Sequence, residues 1–326
     1  MKECNMNTVF IVVPCYNEEE VLPETAKRLR EKLLSLKRAG TISDDSRVLF
    51  VDDGSKDRTW EQIEALHREE PALFDGLKLS RNEGHQNAVY AGLMQARGLC
   101  DAAISLDADL QDDINAIDGM IAQFTEGCDI VYGVRSQRKT DTAFKRMTAR
   151  GFYRFMERMG VEIVYDHADY RLMSARALDG LAEFKEVNLF LRGIVPLIGY
   201  RTGKVYYERA ERFAGESKYP LKKMLSFAGQ GITSFSVKPI HLIMRLGILI
   251  FAISSLFLLF FLFLLIFRDG TGWAFVAASV WALGGLQLFA VGLIGEYIGK
   301  TYLETKKRPK YLVDKWLHEE KTDAKV

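Results

Sequence analysis

The segment Leu106-Asp107-Ala108-Asp109-Leu110-Gln111-Asp112-Asp113 sets four carboxylates and an amide directly behind the apolar run Ala102 to Leu106. A short apolar run of this kind reads as a buried parallel strand. Open α/β sheets bind ligands outside the carboxyl ends of their strands, so an Asp-x-Asp there turns hard oxygen donors toward the ligand edge. Those donors suit Mg²⁺ or Mn²⁺, and a metal-bound diphosphate is the matching cargo. A lone Asp-x-Asp more often opens a solvated turn or caps a helix. The functional reading therefore requires other polar strand ends to agree with it.

Three others do, and they come from the elements that must position the acidic loop. Val9 to Val13 is a β-branched strand leading into Pro14-Cys15-Tyr16-Asn17-Glu18-Glu19-Glu20 and a helix to about Lys37. Arg47 to Val51 is a second strand ending in Asp52-Asp53-Gly54-Ser55, after which Asp57 is placed to cap a helix to about Glu70. Gly76 to Leu79 is a third, followed by Arg81 to Asn87 and the helix Ala88 to Ala96. Strands alternating with helices give a mainly parallel sheet covered on both faces. The loops at Asn17, Asp52, Asn82 and Asp107 then open at one edge and define a site.

Beyond the acidic loop the pattern predicts a helix over Asn115 to Glu126 and a strand from Ile130 to Gly133 that ends in Arg135. An amphipathic helix is expected over Thr142 to Met159, then the segment Asp166 to Met173. Helices Ala175 to Phe184 and Asn188 to Leu197 and a strand Arg201 to Tyr207 follow. Arg209 to Tyr219 is a polar, glycine-containing loop with three cations, Arg209, Arg212 and Lys218, beside Ser217. Its chemistry suits phosphate, although a solvated linker has the same composition. Leu221 to Phe235 has the pattern of a helix lying in a membrane surface.

The 326 residues are 48% hydrophobic, enough for a large core, but the apolar residues are segregated. Leu246 to Phe267 and Thr271 to Gly295 carry no charged side chain, and each exceeds the ~20 residues that cross a bilayer. Lys222, Lys223, Lys238 and Arg245 precede the first run and Lys300, Lys306, Lys307, Arg308 and Lys310 follow the second. This asymmetry places both termini in the cytoplasm and the chain in the inner membrane as a multi-pass protein. The expected organisation is a cytoplasmic domain over 1–219 and a juxtamembrane helix over 220–240. Two spans follow within 241–299, at about 243–267 and 272–295, and a cytoplasmic tail over 300–326. Gly284, Gly285, Gly292, Gly295 and Gly299 would admit close helix approach and hence a homo-oligomer. A net charge of +1 without a basic stripe gives no reason to expect nucleic acid as a partner. Cys4, Cys15, Cys100 and Cys128 fit reduced thiols rather than a zinc or disulfide framework. Asn7 to Val13 is too short for a signal peptide.

Val13-Pro14-Cys15-Tyr16-Asn17-Glu18-Glu19, Val51 to Asp57, Leu106 to Asp112 and Asp169-Tyr170-Arg171-Leu172 together resemble glycosyltransferase family 2. More closely they are similar to its polyisoprenyl-phosphate glycosyltransferases, a likeness that extends to Gly215-Glu216-Ser217-Lys218-Tyr219 and both spans. The resemblance implies a glycosyltransferase A-type, Rossmann-like domain, a nucleotide-sugar donor, Mg²⁺ or Mn²⁺, and inverting transfer to a membrane polyprenyl phosphate. It places Pro14, Tyr16, Asn17, Glu18, Asp52 and Asp107 at the nucleotide sugar. Asp107, Asp109 and Gln111 fall at the metal, and Arg209, Arg212, Ser217 and Lys218 at phosphates. Asp109, Arg135, Asp169 and Arg171 are the catalytic candidates, with Asp169 near the acceptor phosphate as an orienting group or a base.

Three other functions fit parts of this pattern. Transfer of mannose from a GDP-sugar, as in dolichol-phosphate mannose synthase, uses the same constellation, and bacterial relatives with two spans favour a UDP-sugar such as UDP-glucose. A processive polysaccharide synthase would carry Gln-x-x-Arg-Trp, a context that Trp60, Trp273, Trp281 and Trp316 all lack. A catalytically silent membrane scaffold would have no use for a complete acidic set.

Overall fold

The computed structural model describes residues 6–136, 167–187, 189–208 and 273–319, with isolated helical positions between 240 and 256. Strand β1 (Val9–Cys15) is buried along its whole length and leads to helix α1 (Leu22–Arg38). Pro23 and Glu24 in the first turn of α1 and Lys37 and Arg38 in its last suit the helix ends and dipole. Its buried residues Leu22, Ala26, Leu29, Leu33 and Leu36 recur at helical spacing against the sheet. Next come β2 (Arg47–Asp52), α2 (Thr59–Glu69), β3 (Phe74–Leu79), α3 (His85–Ala96), β4 (Ala102–Ser105) and α4 (Ala116–Thr125). The second half adds β5 (Ile130–Arg135), β6 (His167–Ser174), α5 (Ala175–Ala182), α6 (Leu191–Leu197) and β7 (Thr202–Tyr207). The last two elements are α7 (Trp273–Lys306) and β8 (Val313–Leu317).

One eight-stranded sheet runs in the order β7-β5-β6-β4-β1-β2-β3-β8. The pairs β1–β2, β1–β4, β2–β3 and β5–β7 are parallel, as the alternation of strands and helices requires. Two strands run the other way, and the sequence pattern announced neither. Strand β6 lies antiparallel between β4 and β5, with Ile104 opposite Leu172. Strand β8 lies antiparallel on β3, with Leu77 opposite Trp316. The core packs Ile11, Val13, Val48, Phe50, Ile104 and Leu172 of the sheet against Leu29, Leu33 and Ile63 of α1 and α2.

Compact contacts divide the chain into two units, one holding β1 to β7 and β8, the other holding α7. The tail strand β8 thus belongs with the sheet. Helix α7 covers the second apolar run and exposes Val280, Leu288, Phe289 and Val291. Among the described residues, no helix is long and apolar enough to cross a membrane. The expected helix Thr142 to Met159, the loop Arg209 to Tyr219, the stretch Leu221 to Phe235 and most of the first apolar run lie outside the described residues.

Candidate active site

The site is built where β1, β2, β4 and the α3 entry loop end together. Asn17 takes the left-handed conformation, φ 54°, which Asn tolerates better than most residues. Its amide donates to Ser55 Oγ at 3.0 Å, and its Oδ1 accepts from the Lys56 amide at 2.8 Å. The Glu18 amide donates to Thr59 Oγ1, and the Glu19 amide to Asp57 Oδ2. Asp57 therefore staples the first loop to the second as well as accepting from the Thr59 amide at the start of α2. Pro14 is the penultimate residue of β1, and Tyr16 stands exposed just beyond the strand.

Asp52, at the end of β2, is fully buried. Its Oδ1 accepts from the Ser55 amide at 3.2 Å, while Oδ2 has no hydrogen-bond partner among the described residues. Burial pushes its carboxyl above the ordinary value against the pull of the Ser55 hydrogen bonds. Asp53 instead ties two loops together, accepting from the Glu83 and Gly84 amides at 2.7 and 3.0 Å. Between them the backbone permits nothing larger than Gly54, which has φ 67°. A Cβ there would stand 2.6 Å from backbone atoms of Arg81 and Asn82.

The acidic loop is pinned from three sides. Thr25 of α1 donates to the Ala108 carbonyl at 2.8 Å, and Asp109 Oδ1 accepts from the Gln111 amide at 3.2 Å. Asp112 Oδ1 accepts from Tyr207 Oη at 2.6 Å and from Arg135 Nη2 at 3.2 Å. Burial alone would lower Arg135, but Asp112 and Tyr207 keep its guanidinium firmly charged. Asp107 is pushed up to about 6 by burial, against the attraction of His85, with Asp169, Asp112 and Asp109 adding like charge.

Strand β6 supplies the opposite wall. Residues two apart on a strand share a face, so Asp169 and Arg171 point together while Tyr170 and Leu172 enter the core. Arg171 Nη2 donates to Asp169 Oδ1 at 2.6 Å, and Arg171 is buried behind that carboxylate. Arg192 of α6 adds a fork, with Nε 3.2 Å from Oδ1 and Nη2 3.1 Å from Oδ2. His85 Nε2 lies 3.5 Å from Asp107 Oδ1 and 3.5 Å from Asp169 Oδ2, bridging the two walls. Burial would raise Asp169, but the hydrogen bond with His85 and the charges of Arg192 and Arg171 hold it well below the carboxylate range. Burial likewise opposes charge on His85, yet Asp169 and Asp107 hold its imidazolium above the ordinary value.

The structure thus gathers Asp107, Asp109, Gln111, Arg135, Asp169 and Arg171 about one edge and sets Pro14, Tyr16, Asn17, Glu18 and Asp52 on the adjoining loops. Arg209, Arg212, Ser217 and Lys218 lie outside the described residues. Sequence reasoning missed His85 and Arg192. His85 opens a helix directly after a polar strand end, and Arg192 is a single cation in the apolar stretch Leu189 to Leu197; these were the available signals. Among the described residues, no three carboxylate, imidazole or thiolate groups converge as a ready metal cage. Two carboxylates and an amide fit a Mg²⁺ or Mn²⁺ whose remaining ligands come from a diphosphate, the usual arrangement for substrate-borne magnesium.

Residues 10–181 match the family model described as Glycosyl transferase family 2. Glycosyltransferase YkoT of Bacillus subtilis is 53% identical over 95% of this chain and 92% of that protein. A prophage bactoprenol glucosyl transferase homolog of Escherichia coli is 38% identical over 94% of this chain and 98% of its own. The bactoprenol glucosyl transferase of Shigella phage SfV is also 38% identical, over 94% and 97%. Among solved structures, glucosyl-3-phosphoglycerate synthase of Mycobacterium tuberculosis with Mn²⁺, UDP and phosphoglyceric acid matches at 16% identity and TM-score 0.44. That match covers 70% of this chain and 76% of the synthase.

Proposed function

Since the chain belongs to glycosyl transferase family 2 and is a glycosyltransferase, we propose that it transfers glucose, or a closely related sugar, from a UDP-sugar to polyprenyl phosphate. The observation that carries this reading is the single imidazole of His85 shared by Asp107 on the donor wall and Asp169 on the opposite wall. It sets two differently tuned carboxylates across one cleft.

The donor binds along the loops after β1 and β2. Asp52 Oδ2, buried and unpartnered among the described residues, accepts from the N–H of the base, while Tyr16, Asn17 and Glu18 flank the base and ribose. Asp107, Asp109 and Gln111 would hold Mg²⁺ or Mn²⁺, which would neutralise charge on the diphosphate. Arg135 adds a fixed cation on the same side, and the side-chain chemistry of Arg209, Arg212, Ser217 and Lys218 suits the same phosphates. Fixed cations that meet charge as it grows on the leaving group lower the barrier.

On the acceptor side, Asp169 is held ionised by two guanidinium groups and is therefore a weak base. An acceptor that needed deprotonation, such as a sugar hydroxyl, would be poorly served; a phosphate arrives already ionised. Its oxygen attacks the anomeric carbon from the face opposite the diphosphate. The new C–O bond forms as the bond to the diphosphate breaks, and the electron pair leaves on the nucleoside diphosphate, inverting the centre. Arg171 keeps Asp169 in place from behind. The two apolar runs of the sequence support a reaction at the cytoplasmic face of the inner membrane, with both termini cytoplasmic. Open space beside Gly284, Gly292, Gly295 and Gly299 of α7 would admit a second copy of the chain in a homo-oligomer.

The test incubates the purified full chain with undecaprenyl phosphate, Mg²⁺ or Mn²⁺, and labelled UDP- and GDP-sugars, and counts label in the organic phase. Label from UDP-glucose that disappears with EDTA is expected. Label from GDP-mannose alone would overturn the choice of donor, and lipid labelling that survives EDTA would overturn the metal.

A further inference from the structure

We propose that Arg192 is the residue that grips the acceptor's phosphate, with Asp169 serving as its fixed anchor; this rests on the polyprenyl-phosphate reading above. Three observations lead there. The first is the charge balance around Asp169. One carboxylate is enclosed by two guanidinium groups, Arg171 behind it and Arg192 in front, so the group presents a surplus of positive charge. His85 adds a third donor to the same carboxylate.

The second is the order of exposure. The Arg171 side chain is 1% exposed and that of Asp169 8%, whereas 32% of the Arg192 side chain remains accessible. The accessible part of the cluster is therefore Arg192, and the buried pair acts as its foundation. A guanidinium held along one edge by a carboxylate is pre-oriented, and guanidinium geometry matches phosphate oxygens better than an ammonium does.

The third is that the backbone carrying Arg192 is itself fixed to the site. The Leu191 amide donates to Gln86 Oε1 at 2.9 Å, and Arg171 Nη1 donates to the Leu191 carbonyl at 3.4 Å. Gln86 follows His85 at the start of α3. The start of α6 is thus tied both to the bridging histidine's helix and to the buried arginine, which holds Arg192 at a set distance from Asp107. The phosphate on Arg192 then faces a donor sugar whose diphosphate lies by Asp107 and Asp109.

The experiment measures kcat and KM for undecaprenyl phosphate and for UDP-glucose with the full chain in detergent micelles, comparing wild type, Arg192→Ala and Arg192→Lys. Inhibition by farnesyl phosphate is set against that by farnesol. Loss of a charge-assisted contact predicts an acceptor KM raised by about tenfold or more in Arg192→Ala. Donor KM should change less than about twofold on the same scale. Farnesyl phosphate should lose its advantage over farnesol in that variant. Arg192→Lys should recover only part of the affinity, since an ammonium cannot span both Asp169 oxygens and the phosphate. An active wild type whose Arg192→Ala and Arg192→Lys variants keep the acceptor KM and the farnesyl phosphate preference overturns the assignment and leaves the reaction standing. A wild type that transfers no sugar to polyprenyl phosphate overturns the reaction, and the assignment with it.

Discussion

The two walls of the cleft treat their carboxylates in opposite ways. On the donor wall Asp52 is buried with one oxygen unpartnered among the described residues, and Asp107 is pushed up to about 6 amid Asp169, Asp112 and Asp109. On the acceptor wall Asp169 is engaged by Arg171, Arg192 and His85 and held far below the carboxylate range. The donor wall has negative charge and acceptor atoms to spare, the signature of a place for a cation and a base N–H. The acceptor wall has positive charge to spare, the signature of a place for an anion. A transferase that couples a metal-borne diphosphate to an ionised acceptor needs this asymmetry, because two walls of one sign would repel one substrate or the other.

The largest effect should come from the acidic loop. Asp109→Ala removes one of the three oxygen ligands proposed for the metal, and turnover should fall by about 10²–10³-fold, in line with the loss of one preorganised electrostatic contact. Steady-state rates over a Mg²⁺ and Mn²⁺ titration check this. Recovery of full rate at high metal would show that the loop only tunes affinity. Asp169→Asn comes next. Removing the charge strands two guanidinium groups, one of them fully buried, and should cost about 3 kcal/mol of stability at neutral pH. A carboxyl with a lowered folded pKa stabilises above its unfolded value near 3.9 and loses that contribution as pH falls through the folded value. The stability gap between wild type and Asp169→Asn should therefore close only below about pH 4. Urea melts from pH 7 to 3 measure it, and a gap independent of pH would mean that Asp169 is not the ionised hub of that wall.

The donor wall was largely legible in the sequence and the acceptor wall largely was not, for a physical reason. Asn17, Asp52, Asp107, Asp109 and Gln111 sit on short loops right after strands, so their convergence follows from the parallel alternation. The acceptor wall depends on reversed strand β6, whose Asp169 and Arg171 are a polar interruption in a buried segment and make sense only once paired. Asp169 was placed by resemblance, and His85 and Arg192 reach it from helices distant in sequence, where nothing local marks their partner. Strand β8 was hidden in the same way. Val313 to Leu317 is largely exposed and has weak alternation, and its place is set by contacts with residues far earlier in the chain.

Those contacts allow a smaller test of a region away from the cleft. His318 Nδ1 lies 2.8 Å from Asp75 Oδ2, and Arg47 Nη1 lies 3.1 Å from Oδ1 of the same buried carboxylate. Arg47 also donates to the Glu319 carbonyl at 2.9 Å, so one buried ion cluster fastens the tail to the sheet edge. His318→Ala leaves Asp75 with Arg47 alone and should cost about 2 kcal/mol, the penalty for an under-satisfied buried charge. Thermal melts read this directly. Because the cluster lies on the β3 edge, donor and acceptor KM should stay at wild-type values, and a change in either would tie the tail to the site.

The smallest effect should have opposite signs for stability and function. Asp52 has its pKa raised by burial, so its contribution to stability is present below its ordinary value and lost as pH rises through the folded one. At neutral pH the charged form is a burden on the protein without its donor. Asp52→Asn keeps a carbonyl oxygen for the Ser55 amide and removes the buried charge, so the ligand-free protein should melt higher by about 1 kcal/mol of stability. The same change turns the unpartnered oxygen into an NH₂ that confronts the N–H of the base, donor against donor. UDP affinity should fall about tenfold, which corresponds to one misdirected hydrogen bond. Differential scanning calorimetry and UDP titration on the same preparation give both numbers. If stability rises with UDP affinity unchanged, the strain at Asp52 is unrelated to the nucleotide, and the donor wall's surplus charge would be confined to the acidic loop.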